Sequence, residues 1–387
     1  MLMVGSRWSR ASRARGAADF SSYYVAVKAV NSGDDPYKPA AVKSLLGVGA
    51  HPFFYPPPFL AVMQWVDGLP LMKAFRIWFW LDEFAALGCV LVLWLWWRPL
   101  GPALPVALFT SVAALTAIPN NHVMGQFNLP VLLLALLGLW GADRQERHWQ
   151  LLGGGLLGVA CMLKMSPALL VLLLVVQRRW NPVLGTLAGA LVISLLSLVW
   201  VPVSVYVTFF VEILPGFSSG DYNGLRVPIL MYGNHSIPNM WQQLFPGKGM
   251  LSDQARLASA VTNATLVLAL GIAFRKQAAT PLAKQAQLAA VMVAMLLIPV
   301  YTYEHHLVWA IPAAVICMVG VYEERLPRFF VIPLGIALVF WAFDLAVLKR
   351  MGEDARGPLR LFLQEGKFVA LWIFLAGAAM IGRGGRS

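Results

Sequence analysis

The stretch 71-LMKAFRIWFWLDEFAALGCVLVLWLWW-97 decides the fold class of this chain. It is longer than the roughly 17–25 apolar residues that a helix needs to cross the hydrocarbon core of a bilayer. Two acids, Asp82 and Glu83, lie roughly 16 Å along it at a rise of about 1.5 Å per residue. The stretch therefore predicts a membrane-spanning helix that carries two carboxylates.

Similar stretches recur along the whole chain. Of 387 residues, 59% are hydrophobic and 12% are charged, and a soluble domain of this length would need more polar surface. The apolar stretches lie near residues 71–97, 102–119, 127–142, 150–163, 166–179, 182–203, 257–274, 286–301, 305–321, 328–348 and 368–382. We predict one all-α polytopic membrane domain over residues 1–387 with about eleven spans, of which 150–163 and 166–179 are short and tilted or re-entrant around Lys164.

The basic residues predict which loops face the cytoplasm. The short loops hold 12 of the 30 basic residues: Arg98, Arg144, Arg147, Arg178, Arg179, Arg275, Lys276, Lys284, Arg325, Arg328, Arg383 and Arg386. Loops rich in Lys and Arg stay in the cytoplasm, so residues 1–70 are expected outside the cell membrane. Residues 1–18 do not fit, because they carry Arg7, Arg10, Arg13 and Arg15 and lack the apolar core of a signal peptide. We expect that a first helix precedes this sequence.

Polar residues gather on the predicted outer side. They are Asp19 to Tyr24, Asn120-Asn121-His122 with Gln126 and Asn128, Lys164, Asn234-His235, and Tyr303-Glu304-His305-His306. Polar groups that meet at one face of a helical bundle usually line a site. Two long loops, residues 19–70 and 204–256, lie on the same side, and we expect short interfacial helices near residues 59–66 and 237–245.

Several classes of function are disfavoured. The net charge of +12 is scattered over the loops, so it does not predict a nucleic-acid partner. A metal site from His122, His235 and His306 lacks a supporting spacing such as H-E-x-x-H. No D-x-D motif or Gly-rich phosphate loop indicates a metal-dependent enzyme that uses a nucleotide sugar. We predict no metal ligands, and metal dependence stays open.

Taken in chain order, the motifs resemble the membrane glycosyltransferases of the GT-C class. The most similar family is glycosyltransferase family 87, the polyprenol-phosphate-mannose-dependent mannosyltransferases. The motifs are Asp19-Phe20-Ser21-Ser22-Tyr23-Tyr24, Pro36-Tyr37, Tyr55-Pro56-Pro57, Gly125-Gln126-x-Asn128, Lys164-x-x-Pro167, Asn234-His235-Ser236 and His305-His306. The resemblance covers residues 19 to about 310. It implies a GT-C-like helical bundle that moves a hexose, mannose in that family, from a polyprenyl phosphate to a glycolipid or glycan acceptor with inversion.

The resemblance implies that Asp19, in the first outer loop, is the general base. The chemistry fits, because a lipid phosphate leaves as a stable anion and only the acceptor hydroxyl needs a proton acceptor. One carboxylate then suffices, unlike the pair that glycoside hydrolysis requires. The alternative is that Asp19 only caps the helix that follows it.

Other residues are candidates for binding the donor or acceptor. The resemblance places its histidine pair, His305 and His306, near the donor phosphate. Lys164 could hold that phosphate as a point charge, or its ammonium could extend to the membrane interface. The remaining candidates are His122, Gln126, Asn128, Arg226, His235 and Tyr24. The amides among them could bond sugar hydroxyls or tie helices together.

A transporter or lipid flippase is the competing interpretation. Intramembrane acids such as Asp82 and Glu83, together with Lys164, often mark a translocation path. Transporters frequently contain inverted repeats, and the sequence has no such internal symmetry. The resemblance therefore favours the transferase.

The predicted sidedness can be tested by cysteine labelling. Cysteines introduced at Gly33 and Ser218 should react with an impermeant thiol reagent in intact cells, because both loops are expected outside. A cysteine at Gln145 should react only after the cells are opened. Labelling of Gln145 with protection of Gly33 would contradict the topology.

Overall fold

The computed structural model describes residues 18–38, 53–218, 220–222, 225–226, 229, 233–247 and 251–384. The basic segment with Arg7, Arg10, Arg13 and Arg15 and part of the first long loop lie outside the described residues. Contacts divide the chain into two compact units. Unit 1 contains Met1–Cys89, Ile118–Ala168 and Trp180–Val227, and unit 2 contains Val90–Ala117, Leu169–Arg179 and Pro228–Ser387.

Helices account for nearly all of the described secondary structure. In chain order they are α1 (Ala18–Asn31), α2 (Pro57–Val62), α3 (Leu71–Trp97), α4 (Ala103–Ala113), α5 (Ala117–Met124), α6 (Asn128–Ala142), α7 (Arg147–Leu163), α8 (Ala168–Val176), α9 (Trp180–Ser197), α10 (Val203–Thr208), α11 (Leu214–Gly216), α12 (Ile237–Leu244), α13 (Asp253–Ala273), α14 (Pro281–Leu297), α15 (Ile311–Tyr322), α16 (Val331–Ala342), α17 (Leu345–Asp354), α18 (Gly357–Gln364) and α19 (Gly366–Gly384). Short 3₁₀ turns cover Gln64–Val66, Arg98–Leu100, Glu304–Ala310 and Arg328–Phe330, and a π-helical turn covers Phe209–Ile213. Strands β1 (Asp221–Tyr222) and β2 (Leu225–Arg226) form a small antiparallel hairpin.

The predicted all-helical membrane fold is confirmed, whereas the span count of about eleven is not. Each predicted apolar stretch contains a helix. Among the described residues, however, only five helices are long and apolar enough to cross a membrane, or up to seven if two bent pairs each count as one span. The shorter helices explain the difference: α8 has 9 residues, and at about 1.5 Å per residue this covers only about half of the hydrocarbon core.

Two of the predicted spans are broken helices. Helices α4 and α5 meet at a bend of 47°, and the segments Arg328–Ala342 and Leu345–Glu353 meet at 106°. At the second break Phe343 is extended, and the carboxylate of Asp344 accepts a hydrogen bond from the Ala346 N–H. Such a cap begins a new helix and ends the old one. Hydropathy alone gave one continuous stretch over 328–348.

Several helix starts follow from local sequence. The hydroxyls of Ser236, Ser252 and Thr280 each accept a hydrogen bond from the backbone N–H three residues later, at the starts of α12, α13 and α14. Hydroxyl side chains at this position satisfy N–H groups that the first helical turn leaves without partners. Helix α12 lies within the predicted 237–245 segment, and α2 with its 3₁₀ turn lies at the predicted 59–66 segment.

Glycines allow very close helix packing in unit 1. A Cβ on Gly154 or Gly158 of α7 would overlap the carbonyl oxygens of Pro182 or Thr186 in α9. The reverse also holds, because a Cβ on Gly185 would overlap the carbonyl oxygen of Leu151. Small residues four apart let helix backbones approach within a membrane, where van der Waals contact favours association. This contact fixes α7, the helix that ends just before Lys164.

This packing predicts opposite effects of the same substitution at two glycines. Gly158→Ala should lower the thermal stability of the protein in detergent, because overpacking typically costs about 1–3 kcal/mol. Gly271→Ala in α13 is the control, since no atom lies within 4 Å of its Cβ position and alanine favours a helix by roughly 1 kcal/mol. Equal unfolding temperatures for the two variants would contradict the close packing.

Candidate active site

Asp19 lies in the first turn of α1 and is half-buried. Gln126 Nε2 donates to Asp19 Oδ2 at 2.8 Å. Gln126 reaches this position because Gly125, with φ of 68°, ends α5 in the left-handed conformation that glycine adopts readily. In the Gly125-Gln126 motif, the glycine ends the helix and the side-chain amide of Gln126 then points toward the predicted base.

Two tyrosines fix the orientation of the Gln126 amide. Tyr55 Oη donates to Gln126 Oε1 at 2.7 Å, and Tyr23 Oη donates to the same oxygen at 3.2 Å. Desolvation by burial raises the pKa of both phenols, so they keep their protons and remain donors. An amide oxygen only accepts and its NH₂ only donates, whereas a phenol hydroxyl can do both. The NH₂ of Gln126 points toward Asp19 because a carboxylate oxygen accepts it there.

Lys164 lies in the same unit, directly after the end of α7, in extended backbone. Its Nζ donates to Asn128 Oδ1 at 2.5 Å and lies 5.5 Å from the ring centroid of Tyr55. Tyr55 therefore contacts both parts of the site: its hydroxyl meets the amide that holds Asp19, and its ring lies beside the cation.

His122 contacts the acids of α3. Its side chain is buried, with Nε2 3.2 Å from Asp82 Oδ2 and Nδ1 3.8 Å from Glu83 Oε1. Asn121, the preceding residue, donates to Asp82 Oδ2 at 2.7 Å and accepts from Asn128 Nδ2 at 3.1 Å. The structure thus joins Asp82 to the Lys164 side of the site through two amides.

Two other candidates in unit 1 have different surroundings. The hydroxyl of Tyr24 donates to the carbonyl of Leu69 at 2.6 Å, and Lys28 lies over its ring at 5.0 Å. Its neighbour Tyr23 is the residue that joins Gln126. Arg226 lies in β2, where its backbone is opposite that of Asp221 in β1.

Unit 2 holds a second polar cluster, centred on Glu304. Lys367 Nζ donates to Glu304 Oε2 at 2.6 Å and to Thr116 Oγ1 at 2.8 Å. His235 Nε2 lies 3.0 Å from Glu304 Oε1. Lys367 and His235 are each only 1% exposed. Burying charges in this way is costly unless they are paired and hydrogen-bonded, and here both carboxylate oxygens have partners.

The predicted histidine pair lies beside the Glu304 cluster. Glu304 begins the 3₁₀ turn that contains His305 and His306, whose ring centroids lie 4.3 Å apart. His306 Nδ1 accepts the Tyr303 N–H at 3.0 Å. Asn234 anchors the same region, because its side chain donates to the Val300 carbonyl and accepts the Thr302 N–H, both at 2.9 Å.

The structure therefore places the predicted site residues in two groups, one in each unit. In unit 1 the structure brings Asp19, Gln126, Asn128 and Lys164 together, and in unit 2 it brings His235 beside the His305-His306 turn. Sequence reasoning did not identify Tyr23, Tyr55 or Lys367 as residues that bond to these two groups. Lys367 stands at the start of the last apolar stretch, where a lysine normally indicates an interface anchor. Among the residues described, no group of three or more His, Cys, Asp and Glu side chains is arranged to hold a metal ion.

Comparison with known proteins decides the family. The model of glycosyltransferase family 87 matches residues 53–299 of this chain. The chain belongs to glycosyltransferase family 87. This confirms the family that the ordered motifs predicted, and the match includes the Tyr55, Gln126, Asn128 and Lys164 positions.

One curated relative and one solved structure are also similar. A polyprenol-phosphate-mannose-dependent alpha-(1-2)-phosphatidylinositol mannoside mannosyltransferase of Mycolicibacterium smegmatis is 27% identical over 277 residues, which are 70% of this chain and 56% of that protein. The chain thus aligns with about half of the length of that relative. The crystal structure of ArnT from Cupriavidus metallidurans bound to undecaprenyl phosphate matches with a TM-score of 0.46 and 16% identity, over 98% of this chain and 76% of that one.

The buried ion pair predicts a cycle of stability changes. Lys367→Met should destabilise the protein by about 3–5 kcal/mol, because it leaves the Glu304 carboxylate buried without its cation. The double variant Glu304→Gln/Lys367→Met removes both charges and should recover much of this loss. Thermal unfolding in detergent measures the effect, with exposed Lys349→Met as the control. A double variant as unstable as the single one would contradict the pairing.

Proposed function

We propose that this protein transfers a hexosyl residue from a polyprenyl-phosphate sugar to a lipid- or glycan-linked acceptor at the extracytoplasmic face of the cell membrane. Mannose is the favoured sugar. Membership of family 87 supports glycosyl transfer, and the name of the curated relative supports a polyprenol-phosphate-mannose donor. The observation that carries the proposal is the Asp19 carboxylate held by Gln126, in the same unit as the Lys164 amino group held by Asn128.

Asp19 is the proposed general base. Its carboxylate takes the proton of the acceptor hydroxyl as that oxygen attacks the anomeric carbon of the donor. The bond between this carbon and the phosphate oxygen breaks, and its electron pair leaves with the polyprenyl phosphate. Direct attack inverts the configuration at this carbon. The leaving phosphate is already a stable anion, so no general acid is required.

Gln126 is proposed to position this base rather than to bind sugar. Its amide has an NH₂ group on Asp19 and an oxygen that receives two tyrosine hydroxyls. A base must be held within hydrogen-bond reach of the proton that it removes. The bond to Gln126 also stabilises the ionised carboxylate, since a hydrogen bond to a charged acceptor is stronger than one to a neutral acceptor.

Lys164 is the proposed partner of the donor phosphate. Lysine binds phosphate as a point charge, and the contact with the Asn128 oxygen fixes the position of the Lys164 Nζ. His305 or His306 is proposed at the donor phosphate on the basis of the family resemblance. His122, His235, Asn128, Arg226 and Tyr24 remain proposed donor or acceptor contacts, and metal dependence is open.

Family membership favours this proposal over a transporter or flippase that uses Asp82, Glu83 and Lys164. The hydrogen bonds of Asp82 and Lys164 to the amides of Asn121 and Asn128 give the two charges a place within the transferase. These contacts explain why ionisable residues occur among apolar helices without a translocation path.

Two substitutions separate chemistry from donor binding. Asp19→Asn should lower the rate of transfer by ~10²–10⁴, as loss of a general base typically does, with little change in the donor KM. Its side-chain oxygen can still accept from Gln126, so the local geometry should persist. Lys164→Met should instead raise the donor KM by roughly 10- to 100-fold, since a charge-assisted contact contributes about 1.5–3 kcal/mol.

Asp67→Asn and Lys28→Met are the matched controls. Both residues are partly or fully exposed and face each other at 3.9 Å, so both variants should transfer normally. If Asp19 were only a helix cap, Asp19→Asn would also be near normal, because Asn is as good a cap as Asp. Near-normal transfer by well-folded Asp19→Asn protein would therefore reject the catalytic role.

A further inference from the structure

Asp82 carries a carboxylate that the proposed reaction does not use. It lies on α3 and is fully buried. Asn121 Nδ2 donates to its Oδ2 at 2.7 Å, and His122 Nε2 lies 3.2 Å from the same oxygen. Glu83, the adjacent acid, lies 3.8 Å from the other nitrogen of His122. A buried acid with this many partners has a defined orientation.

The contacts of Asp82 continue as a chain of amides. Asn121 turns its NH₂ toward Asp82, and its Oδ1 therefore faces away and accepts from Asn128 Nδ2 at 3.1 Å. Asn128 in turn points its Oδ1 at Lys164 Nζ, 2.5 Å away. Both asparagines are completely buried. Each amide thus has its donor end toward Asp82 and its acceptor end toward Lys164.

The hydrogen bonds give this chain its direction. Asp82 Oδ2 accepts from the NH₂ of Asn121, and the oxygen of Asn128 accepts from Lys164 Nζ. An amide has one donor end and one acceptor end, so each asparagine serves both of its neighbours only in this orientation. Without the carboxylate, the NH₂ of Asn121 keeps the Gln126 carbonyl as an acceptor but loses its shorter bond, so Asn121 and the amide of Asn128 that it bonds are held less firmly. A displaced Asn128 oxygen would no longer hold Lys164 Nζ in place.

We infer that Asp82 is a positioning residue for Lys164, acting through Asn121 and Asn128. The inference rests on the proposed role of Lys164 at the donor phosphate, and it gives that role a structural support inside the membrane domain. It also gives the Asp82 carboxylate a function that requires neither ion nor proton movement. Asn121 additionally donates to the Gln126 carbonyl at 3.2 Å, which joins the chain to the turn that holds Asp19.

A double-mutant cycle on donor KM tests the inference. Transfer from a radiolabelled polyprenyl-phosphate hexose is measured in membranes with wild type, Asp82→Leu, Lys164→Met and the double variant. Asp82→Leu should raise the donor KM roughly tenfold or more, with kcat within about threefold, because a charge-assisted contact loses its geometry. In the Lys164→Met background the same change should add less than about twofold, since residues that act through one another are not additive.

Two further variants keep the test decisive. Asp82→Asn retains an acceptor oxygen but adds a donor, so it should raise KM less than Asp82→Leu with the same non-additivity; it replaces Asp82→Leu in the cycle if the latter does not accumulate. Glu365→Gln is the control, because Glu365 is also a buried acid and bonds Gln243 at 2.7 Å; its donor KM should stay within about twofold.

The outcomes distinguish this inference from the proposed function. Non-additive KM changes in active protein support the positioning role. Additive changes, or an Asp82 variant that lowers kcat alone, would overturn the inference and leave the transferase intact. Wild-type protein that transfers no hexose would overturn the proposed function itself, and loss of ion-driven flux in Asp82→Asn would then assign Asp82 to transport.

Discussion

A buried amide in an apolar bundle cannot turn freely, because its oxygen must accept and its NH₂ must donate. This constraint organises unit 1. Gln126 receives two tyrosine hydroxyls at its oxygen and gives its NH₂ to Asp19. Asn121 and Asn128 obey the same rule between Asp82 and Lys164. The orientation of the proposed base and the position of the proposed phosphate ligand both follow from amides with one possible direction.

The two units provide partners for their buried polar groups in different ways. Unit 1 uses neutral amides and phenols around its charges, on helices that glycines allow to pack backbone to backbone. Unit 2 pairs Glu304 directly with Lys367 and adds Thr116 and His235 to the same carboxylate. The proposed roles follow this difference: Lys367 is paired with a carboxylate, whereas Lys164 Nζ contacts the neutral amide of Asn128.

Hydropathy predicted where the helices form, and the order of the motifs predicted the family. The number of spans was less accessible, because an apolar composition does not reveal breaks such as the one at Phe343-Asp344. The sequence also singled out candidate polar residues, which the structure groups within each unit, since buried polar groups stand out in an apolar chain. The sequence did not reveal the partners of these residues. Lys367, for example, bonds Thr116, 251 positions away in sequence, and no local pattern records such a contact. Tyr55 stood only within the Tyr55-Pro56-Pro57 motif, and nothing in that motif indicated that its hydroxyl bonds Gln126.

The central claim is that this protein moves a hexose from a polyprenyl phosphate to an acceptor. The most direct measurement incubates membranes that contain the protein, and matched membranes that lack it, with radiolabelled polyprenyl-phosphate mannose. The account predicts label in a larger glycolipid or glycan only when the protein is present, with the polyprenyl phosphate released in equal amount. No label above the matched membranes with the mannosyl, glucosyl and arabinosyl donors alike would contradict it.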